Sequence, residues 1–188
     1  MKKAIPAAAI LCLALAGLCL PARGAETAAT LKAGFFLPSD SVFRDVYSSG
    51  PLFGVDLAIP LAGPLQLWAG AEYFAKTGRL TVSEETTKVR ITPIYAGLRA
   101  QFGRKKARPY IGAAAAYFLL HEENPLGEAS KNALGLLTQA GVQLRLAGPA
   151  WLDLFAGYRL CTIKSDDGES FEAGLGGLSS GLGVTFKF

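Results

Sequence analysis

The last seven residues alternate strictly between apolar side chains and small or polar ones: Leu182-Gly183-Val184-Thr185-Phe186-Lys187-Phe188. Successive side chains of a β-strand point to opposite faces, so this alternation predicts a strand with one apolar face and one polar face. The apolar face consists of Leu182, Val184, Phe186 and Phe188. A strand with two unlike faces belongs in a sheet whose two sides meet different surroundings.

The amino-terminal residues have the composition of a secretory signal peptide. Lys2 and Lys3 form a positively charged n-region, and the range 7–20 forms an apolar h-region. Ala22-Arg23-Gly24 places small residues at the two positions that a signal peptidase recognises. We expect Sec-dependent export and cleavage before Ala25. The apolar run is shorter than the ~20 residues that a membrane-spanning helix needs, so a retained helix is the weaker interpretation.

Residues 1–24 are therefore predicted to be a signal peptide, and residues 25–188 a single barrel domain. Three of the 19 basic residues lie in the predicted signal peptide, which leaves 16 against 15 acidic ones. The net charge of +4 for the whole chain consequently gives no indication of nucleic-acid binding. Cys161 is the one cysteine of the range 25–188, so a disulfide within this range is excluded.

Eight alternating segments, separated by clusters of Gly, Pro and charged residues, fill the range 25–188. They cover the ranges 30–37, 51–59, 65–77, 88–102, 109–120, 134–146, 151–163 and 178–188. We predict an all-β fold, an antiparallel eight-stranded up-and-down transmembrane barrel. In the range 109–120 small residues suit either face, so the sidedness of this strand stays open.

The connections between these segments alternate in kind. The links 60–64, 103–108 and 147–149 are short and rich in Gly, Pro or charged residues, whereas those at 38–50, 78–87, 121–133 and 164–177 are longer and polar. Short turns at one rim and longer loops at the other are typical of bacterial outer-membrane barrels. An even number of strands then places both termini in the periplasm.

The charged residues of the segments share one face with many glycines, and the opposite face is almost free of charge. The predicted lumen network comprises Lys32, Asp56, Glu72, Arg99, Arg145, Asp153 and Arg159. An apolar outer face suits lipid, whereas a soluble lipocalin-like barrel would turn that face inward around a ligand. Because an eight-stranded barrel is just wide enough for side chains to fill, we expect these charges to pair and plug the lumen. A gated, narrow solute path is the alternative.

Three segments carry a resemblance to a known family: 92–99 (TPIYAGLR), 108–112 (RPYIG) and the ending Phe186-Lys187-Phe188. With the signal peptide and the eight segments, they make the chain resemble the small outer-membrane barrels related to the OmpA membrane domain and OmpX. The resemblance implies a bacterial outer-membrane location, contact with outer-membrane lipid and lipopolysaccharide, and recognition of the last strand by the outer-membrane insertion machinery. It does not specify an activity.

We therefore expect a structural or surface-interaction role for a monomeric barrel. The alternatives are an OmpW-like conduit for small or hydrophobic solutes and a soluble lipocalin-like ligand-binding barrel. An enzyme is not expected, because the single histidine, His121, has Glu123 where lipid A deacylases carry serine, and the spacing of Ser130 does not indicate a triad. No cofactor, metal ion or nucleic acid is expected, since the acidic loops match no calcium-binding spacing.

Overall fold

The computed structural model describes residues 26–79, 86–103, 105–124, 127–164 and 172–188. For six residues at the ends of strands, only the backbone is described: Arg79, Asn124, Ile163, Lys164, Glu172 and Ala173. The predicted signal peptide lies outside the described residues, as do parts of the predicted loops 78–87, 121–133 and 164–177.

Nine strands and one helix are present in the described ranges. In chain order they are β1 (Ala28–Pro38), α1 (Ser41–Tyr47), β2 (Gly50–Ala62), β3 (Leu65–Arg79), β4 (Thr86–Gln101), β5 (Ala107–Asn124), β6 (Gly127–Ala147), β7 (Ala150–Lys164), β8 (Glu172–Gly174) and β9 (Gly177–Lys187). Every neighbouring pair is antiparallel, and β1 pairs with both β2 and β9, which closes the sheet into a ring of eight strands. Strand β8 pairs with the end of β7 alone. The predicted eight-stranded antiparallel barrel is confirmed.

The two rims of the barrel differ. At the rim where the described residues begin and end, here the turn rim, β2–β3 and β6–β7 are joined by two-residue turns in which Gly63 and Gly148 have φ of +57° and +54°. Glycine adopts this left-handed conformation without steric cost. At the opposite rim, here the loop rim, lie α1, β8 and the tip of the β5–β6 hairpin.

The expected loops contain regular structure: β3 and β4 extend into the range 78–87, and β8 lies in the range 164–177. The range 38–50 includes α1, and most of the range 121–133 is a continuous ladder in which His121 pairs with Ser130. Polar residues occupy both faces of this projecting hairpin, so the alternation that marks a strand inside the barrel is lost there although the backbone pairing continues.

Burial alternates along the strands: the outward positions are mostly apolar, and the buried positions include all six interior charges of the predicted network. On β9, Thr185 and Lys187 are buried whereas Leu182, Phe186 and Phe188 are exposed. Strand β5, whose sidedness the sequence leaves open, directs Tyr110, Gly112, Ala114, Ala116 and Phe118 inward. The soluble lipocalin-like alternative is wrong, because it requires the apolar face inside. Among the described residues, no helix has the length and apolar character to cross a membrane.

The interior has two halves. Toward the loop rim it is apolar and is formed by Phe36, Leu52, Phe74, Val89, Ile91 and Phe118. Helix α1 packs across this end with Phe43, Val46 and the buried Tyr47. The middle and the half toward the turn rim hold the buried charged and amide groups, whereas the buried hydroxyls of Thr87 and Ser179 lie toward the loop rim. We call these regions the apolar half and the polar half.

Candidate functional site: the charged lumen

Six of the seven predicted lumen charges are buried inside the ring: Lys32, Asp56, Glu72, Arg99, Asp153 and Arg159. Four of them form one cluster around Lys32. The Lys32 ammonium lies 3.0 Å from Asp56 Oδ2 and donates hydrogen bonds to Glu72 Oε1 at 3.0 Å and to Gln139 Oε1 at 3.2 Å. Each charge of this cluster therefore has an opposite charge in contact, which offsets the cost of its burial.

Glu72 connects Lys32 to the fourth member of the cluster. Its second carboxylate oxygen accepts a charge-assisted hydrogen bond from Arg159 Nη2. The Arg159 guanidinium also lies 4.4 Å from the ring centre of Phe36, at the boundary with the apolar half. One carboxylate thus joins two cations from strands that are far apart in the chain.

Tyrosines complete the network, and sequence reasoning did not single them out. Tyr95 accepts a hydrogen bond from Lys32 Nζ at 2.9 Å and donates one to Asp56 Oδ1. Tyr110 donates to Asp153 Oδ1 at 2.9 Å and accepts from Gln139 Nε2 at 2.8 Å. Strand parity was an available signal for Tyr95, whereas Tyr110 lies on β5, whose sidedness the sequence leaves open.

Arg99 and Asp153 lie in the polar half without forming a direct ion pair. Arg99 Nε donates to Gln66 Oε1 at 2.9 Å, and the guanidinium stacks over Tyr110 at 4.6 Å from the ring centre. Among the described groups, the two Nη atoms of Arg99 and Oδ2 of Asp153 have no hydrogen-bond partner. Arg159 Nε and Nη1 likewise lack a hydrogen-bond partner within the described ranges, so the direct ion pairs are what distinguish the cluster around Lys32 from this part of the lumen.

Arg145 was predicted to belong to the lumen network, but its side chain is exposed. It shares the inward parity of Gln139 and Gln143 but lies near the β6–β7 turn, where the register shifts between the pair Arg145–Trp151 and the last pair, Ala147–Ala150. The barrel opens to solvent at the turn rim, so the side chain does not enter the lumen.

Lys187 is a further interior cation that was placed on the polar face of the last strand but not counted in the network. It is 8% exposed, donates to Gln101 Oε1 at 3.2 Å and lies 4.4 Å from the ring centre of Trp151. Near it, a cavity of about 830 Å³ opens at the turn rim and reaches Gln66 and Gln101. The half-buried Arg108 and the exposed Glu26 line its outer part and form an ion pair of 2.8 Å that lowers the pKa of the Glu26 carboxyl.

Glycines make room for the cluster around Lys32. A Cβ built on Gly54 would lie 3.0 Å from Glu72 Cγ and 3.3 Å from Lys32 Cε, and one built on Gly70 would collide with Asp56 and Tyr95. The glycines that share the charged face in the sequence therefore provide the space that the long inward side chains occupy.

A second polar cluster holds α1 against the loop rim. Tyr47 donates to Glu122 Oε1 at 2.8 Å and lies 3.0 Å from Thr87 Oγ1. Burial raises the pKa of the Tyr47 hydroxyl, so it stays protonated and able to donate. At the start of the helix, Asp40 Oδ1 accepts from Phe43 N at 3.0 Å, and this bond lowers the pKa of the Asp40 carboxyl.

His121 and Ser130, for which the sequence gave no indication of a catalytic arrangement, are neighbours on β5 and β6. His121 Nδ1 lies 2.9 Å from Ser130 Oγ on the outer face of the hairpin. Within the described ranges, no acidic side chain hydrogen-bonds this histidine. The adjacent Glu122 points inward to Tyr47 and Thr87.

The outer face of β9 carries the predicted insertion signal. Leu182, Val184, Phe186 and Phe188 are 40% to 73% exposed. Their neighbours Thr185 and Lys187 point into the lumen. The four side chains thus form a continuous apolar stripe on the outside of the closing strand.

Comparison with known proteins gives no match to a family model and none to a curated protein sequence. Solved structures do match. Neisserial surface protein A has 16% sequence identity and a TM-score of 0.63 over 88% of this chain and 100% of its own. OprG of Pseudomonas aeruginosa has 13% identity and a TM-score of 0.66, over 87% of this chain and 96% of its own.

The N-terminal β-barrel domain of Pseudomonas aeruginosa OprF is a third match, with 15% identity and a TM-score of 0.56 over 88% of this chain and 100% of its own. All three are small barrels of the outer membrane. Identities at this level identify an architecture and not an activity. The chain has the fold of the small eight-stranded outer-membrane β-barrels, as its resemblance to the OmpA and OmpX group implies.

Proposed function

We propose that this protein is a monomeric bacterial outer-membrane barrel with a structural or surface-interaction role, whose lumen is closed by paired charges. The observation that carries the proposal is the cluster of Lys32, Asp56, Glu72 and Arg159, buried inside a ring whose outer face is apolar. Such a cylinder is a rigid support in lipid. The segments at the loop rim differ from one another in structure and are exposed to solvent, so they are the parts of the protein that could contact a partner.

Packing of the interior supports a plug over a pore. Trp68, Arg99 and Arg159 are among the largest fully buried side chains; the first two come from the neighbouring strands β3 and β4, and Arg159 comes from β7 across the ring. Opening a path would separate Glu72 from one of its two cations in a region that water does not reach, and an unpaired buried charge is strongly destabilising. We expect the purified protein to show no stable conductance.

Recording in planar bilayers tests this expectation. The folded barrel would be inserted at protein amounts for which a 16-stranded porin, as the positive control, gives open channels. A silent membrane supports the plug, and a stable open conductance at low voltage refutes it. Folding is checked beforehand by a heat-dependent shift in electrophoretic mobility.

The proposed orientation places the turn rim in the periplasm and the loop rim outside the cell. It is supported by the short turns at one rim and by the apolar stripe of Leu182, Val184, Phe186 and Phe188, which we propose is recognised by the insertion machinery. Residues 1–24 would direct Sec export. Maleimide labelling of whole cells should modify Val42→Cys at the loop rim and leave Lys105→Cys at the turn rim unmodified, with Cys161 replaced by Ala in both.

A conduit for small apolar solutes is the second candidate, and one observation favours it. The β3–β4 ladder pairs Ala71 with Ile94 and Phe74 with Ile91 but is interrupted between them, at Pro93, which has no N–H to donate. The interruption lies beside the apolar half. The test compares uptake of an apolar fluorophore by three kinds of cell: those with the parent protein, those without the protein and those with Pro93→Ala. Lower uptake in both of the last two than in the first would support a conduit.

We also propose that the protein is not an enzyme. A serine nucleophile requires a histidine that a third group orients, and the described residues give His121 no such carboxylate. Mass analysis of lipid A from cells with and without the gene should show the same acylation pattern. A changed pattern that disappears with Ser130→Ala would refute the proposal.

A further inference from the structure

The outer face of β4 changes from apolar to basic along its length. Leu98 and Ile94 are exposed, as lipid-facing residues are, and Arg90 and Lys88 continue the same face toward the loop rim and are exposed as well. A charge on the lipid side of a barrel is tolerated where the hydrocarbon ends and polar headgroups begin. The two cations therefore mark the headgroup level on this side of the barrel.

Exposed tyrosines locate the same boundary independently. Tyr73 on β3, Tyr117 on β5 and Tyr158 on β7 all point outward. Tyrosine is enriched at membrane interfaces because its ring is apolar and its hydroxyl is polar. Arg90 pairs with Ala75, two residues beyond Tyr73 on β3, and with His121, four residues beyond Tyr117 on β5. Both cations thus lie just outside the aromatic level.

The surface between β3 and β4 is concave at this point. A depression of about 300 Å³ is lined by Tyr73, Thr77, Lys88 and Arg90, together with neighbouring residues of the two strands. We call these four residues the β3–β4 patch. Among the described residues, neither Lys88 nor Arg90 has an acidic side chain within ion-pair distance, although Glu123 is the cross-strand neighbour of Lys88.

We infer that the β3–β4 patch binds a phosphate group of a phosphorylated glycolipid in the outer leaflet, of the lipid A type. A guanidinium can hold a phosphate with two parallel hydrogen bonds, and an ammonium adds a point charge beside it. The hydroxyls of Thr77 and Tyr73 are further donors at the rim of the depression. The sugar-linked phosphate would lie against the cations while the acyl chains follow the apolar face of Ile94 and Leu98.

This inference rests on the proposed orientation, because lipid A occupies the outer leaflet, but it does not depend on what the loops bind. The charge at the other rim supplies a matched comparison. Lys105 and Lys106 are also exposed, but they lie in the β4–β5 turn and line neither this depression nor the cavity at the turn rim.

Native mass spectrometry of the folded protein in detergent micelles, titrated with bisphosphorylated lipid A, tests the site. We expect K88Q/R90Q to bind about tenfold or more weakly than the parent, because each cation near an anionic headgroup adds to the attraction. The charge-preserving K88R/R90K should stay within about threefold, and so should K105Q/K106Q. Equal weakening by the two neutralising pairs would show general charge attraction and overturn the inference.

Two arms need only the parent protein, so they decide the question even if a variant fails to fold. Dephosphorylated lipid A should bind at least about tenfold more weakly than the bisphosphorylated form. Inorganic phosphate at millimolar concentration should not displace lipid A, because the acyl chains contribute apolar contact that free phosphate lacks. Equal binding of both lipids, or displacement by phosphate alone, would refute a lipid-phosphate site. Failure of the orientation is distinguishable, since the labelling of Val42→Cys and Lys105→Cys reports it without reference to lipid binding.

Discussion

The same eight strands enclose two interior regions that are held together by different forces. In the apolar half, Phe36, Phe74 and Phe118 fill space, and Phe36 meets Phe74 edge to face at 5.2 Å between ring centres. In the polar half, direct ion pairs hold the cluster around Lys32, and hydrogen bonds to Gln66 and Tyr110 hold Arg99 and Asp153. A packed apolar region tolerates loss of a group at a cost set by the cavity, whereas a buried network fails when one partner is left uncompensated.

The two halves also differ in what closes them at their ends. Helix α1 and the Tyr47–Glu122 hydrogen bond cover the apolar half, whereas the polar half ends at the open cavity of the turn rim. An apolar interior that is open to water would expose apolar surface, which is unfavourable, whereas a polar interior can be hydrated. The cover at the loop rim thus matches the half that needs it.

Glu72→Gln should have the largest effect, because it leaves Lys32 and Arg159 with one less negative charge in a buried site. We expect a loss of about 4 kcal/mol in the free energy of unfolding. Urea unfolding in lipid vesicles, followed by electrophoretic mobility, measures it. Glu26→Gln is the matched control, since it breaks an exposed ion pair with Arg108 and should cost below about 1 kcal/mol. Equal costs for the two variants would contradict the claim that burial makes the network around Lys32 sensitive to the loss of one charge.

Phe118→Ala should cost about 3 kcal/mol, through a cavity in the apolar half. The cavity would stay dry, so benzene added to the vesicles should recover part of the loss, as apolar ligands fill apolar cavities. The same measurement on Glu72→Gln should show no recovery. If benzene stabilised both variants alike, the chemical contrast between the halves would be wrong.

Asp40→Ala should weaken the cover of the apolar half by about 1 kcal/mol, because the Asp40 carboxylate caps α1 and also accepts from Gly174 N at 3.3 Å. Hydrogen exchange at the Phe43 and Gly174 amides measures the local opening. The pKa of Asp40 is lowered in the folded state, so the stabilisation is present above its unfolded pKa and is lost as the pH falls through the lower folded value. In the parent protein, hydrogen exchange at these amides should therefore become faster as the pH falls through the folded pKa of Asp40. Asp40→Asn, which has no carboxyl group to titrate, should not show this change.

Arg145→Gln should have the smallest effect, below about 0.5 kcal/mol, because the side chain is exposed at the turn rim. Arg99→Gln removes a charge of the same kind from an interior position and should change the free energy of unfolding several times more. Urea unfolding of the two variants under one condition compares them. A large cost for Arg145→Gln would return this residue to the lumen network.

Much of the fold could be predicted because the two faces of each strand meet different surroundings. The eight strands follow from alternation alone, and their sidedness follows from charges such as Lys32 and Glu72 sharing one face with glycine. Strand β5 lacked this signal because alanine suits both faces. The ladder from His121 to Ser130 lacked it because both of its faces are polar.

The site was predictable as a set of residues and not as a set of contacts. Parity along a strand placed six charges inside, but it also included Arg145, since parity does not say where the strand leaves the lumen. The partners of Lys32 are Asp56, Glu72 and Gln139, which follow it in the sequence by 24, 40 and 107 residues. Nothing local in the sequence relates them.

The sequence by itself determined the alternation, the ring of strands and the chemistry of each face, because these depend on the period of two in a strand and on the cost of a charge in lipid. Only the tertiary structure decided which charges meet, that tyrosines bridge them, and that α1 covers the apolar half. Those features depend on the register and curvature of the closed ring, which bring strands that are remote in sequence to one level of the lumen.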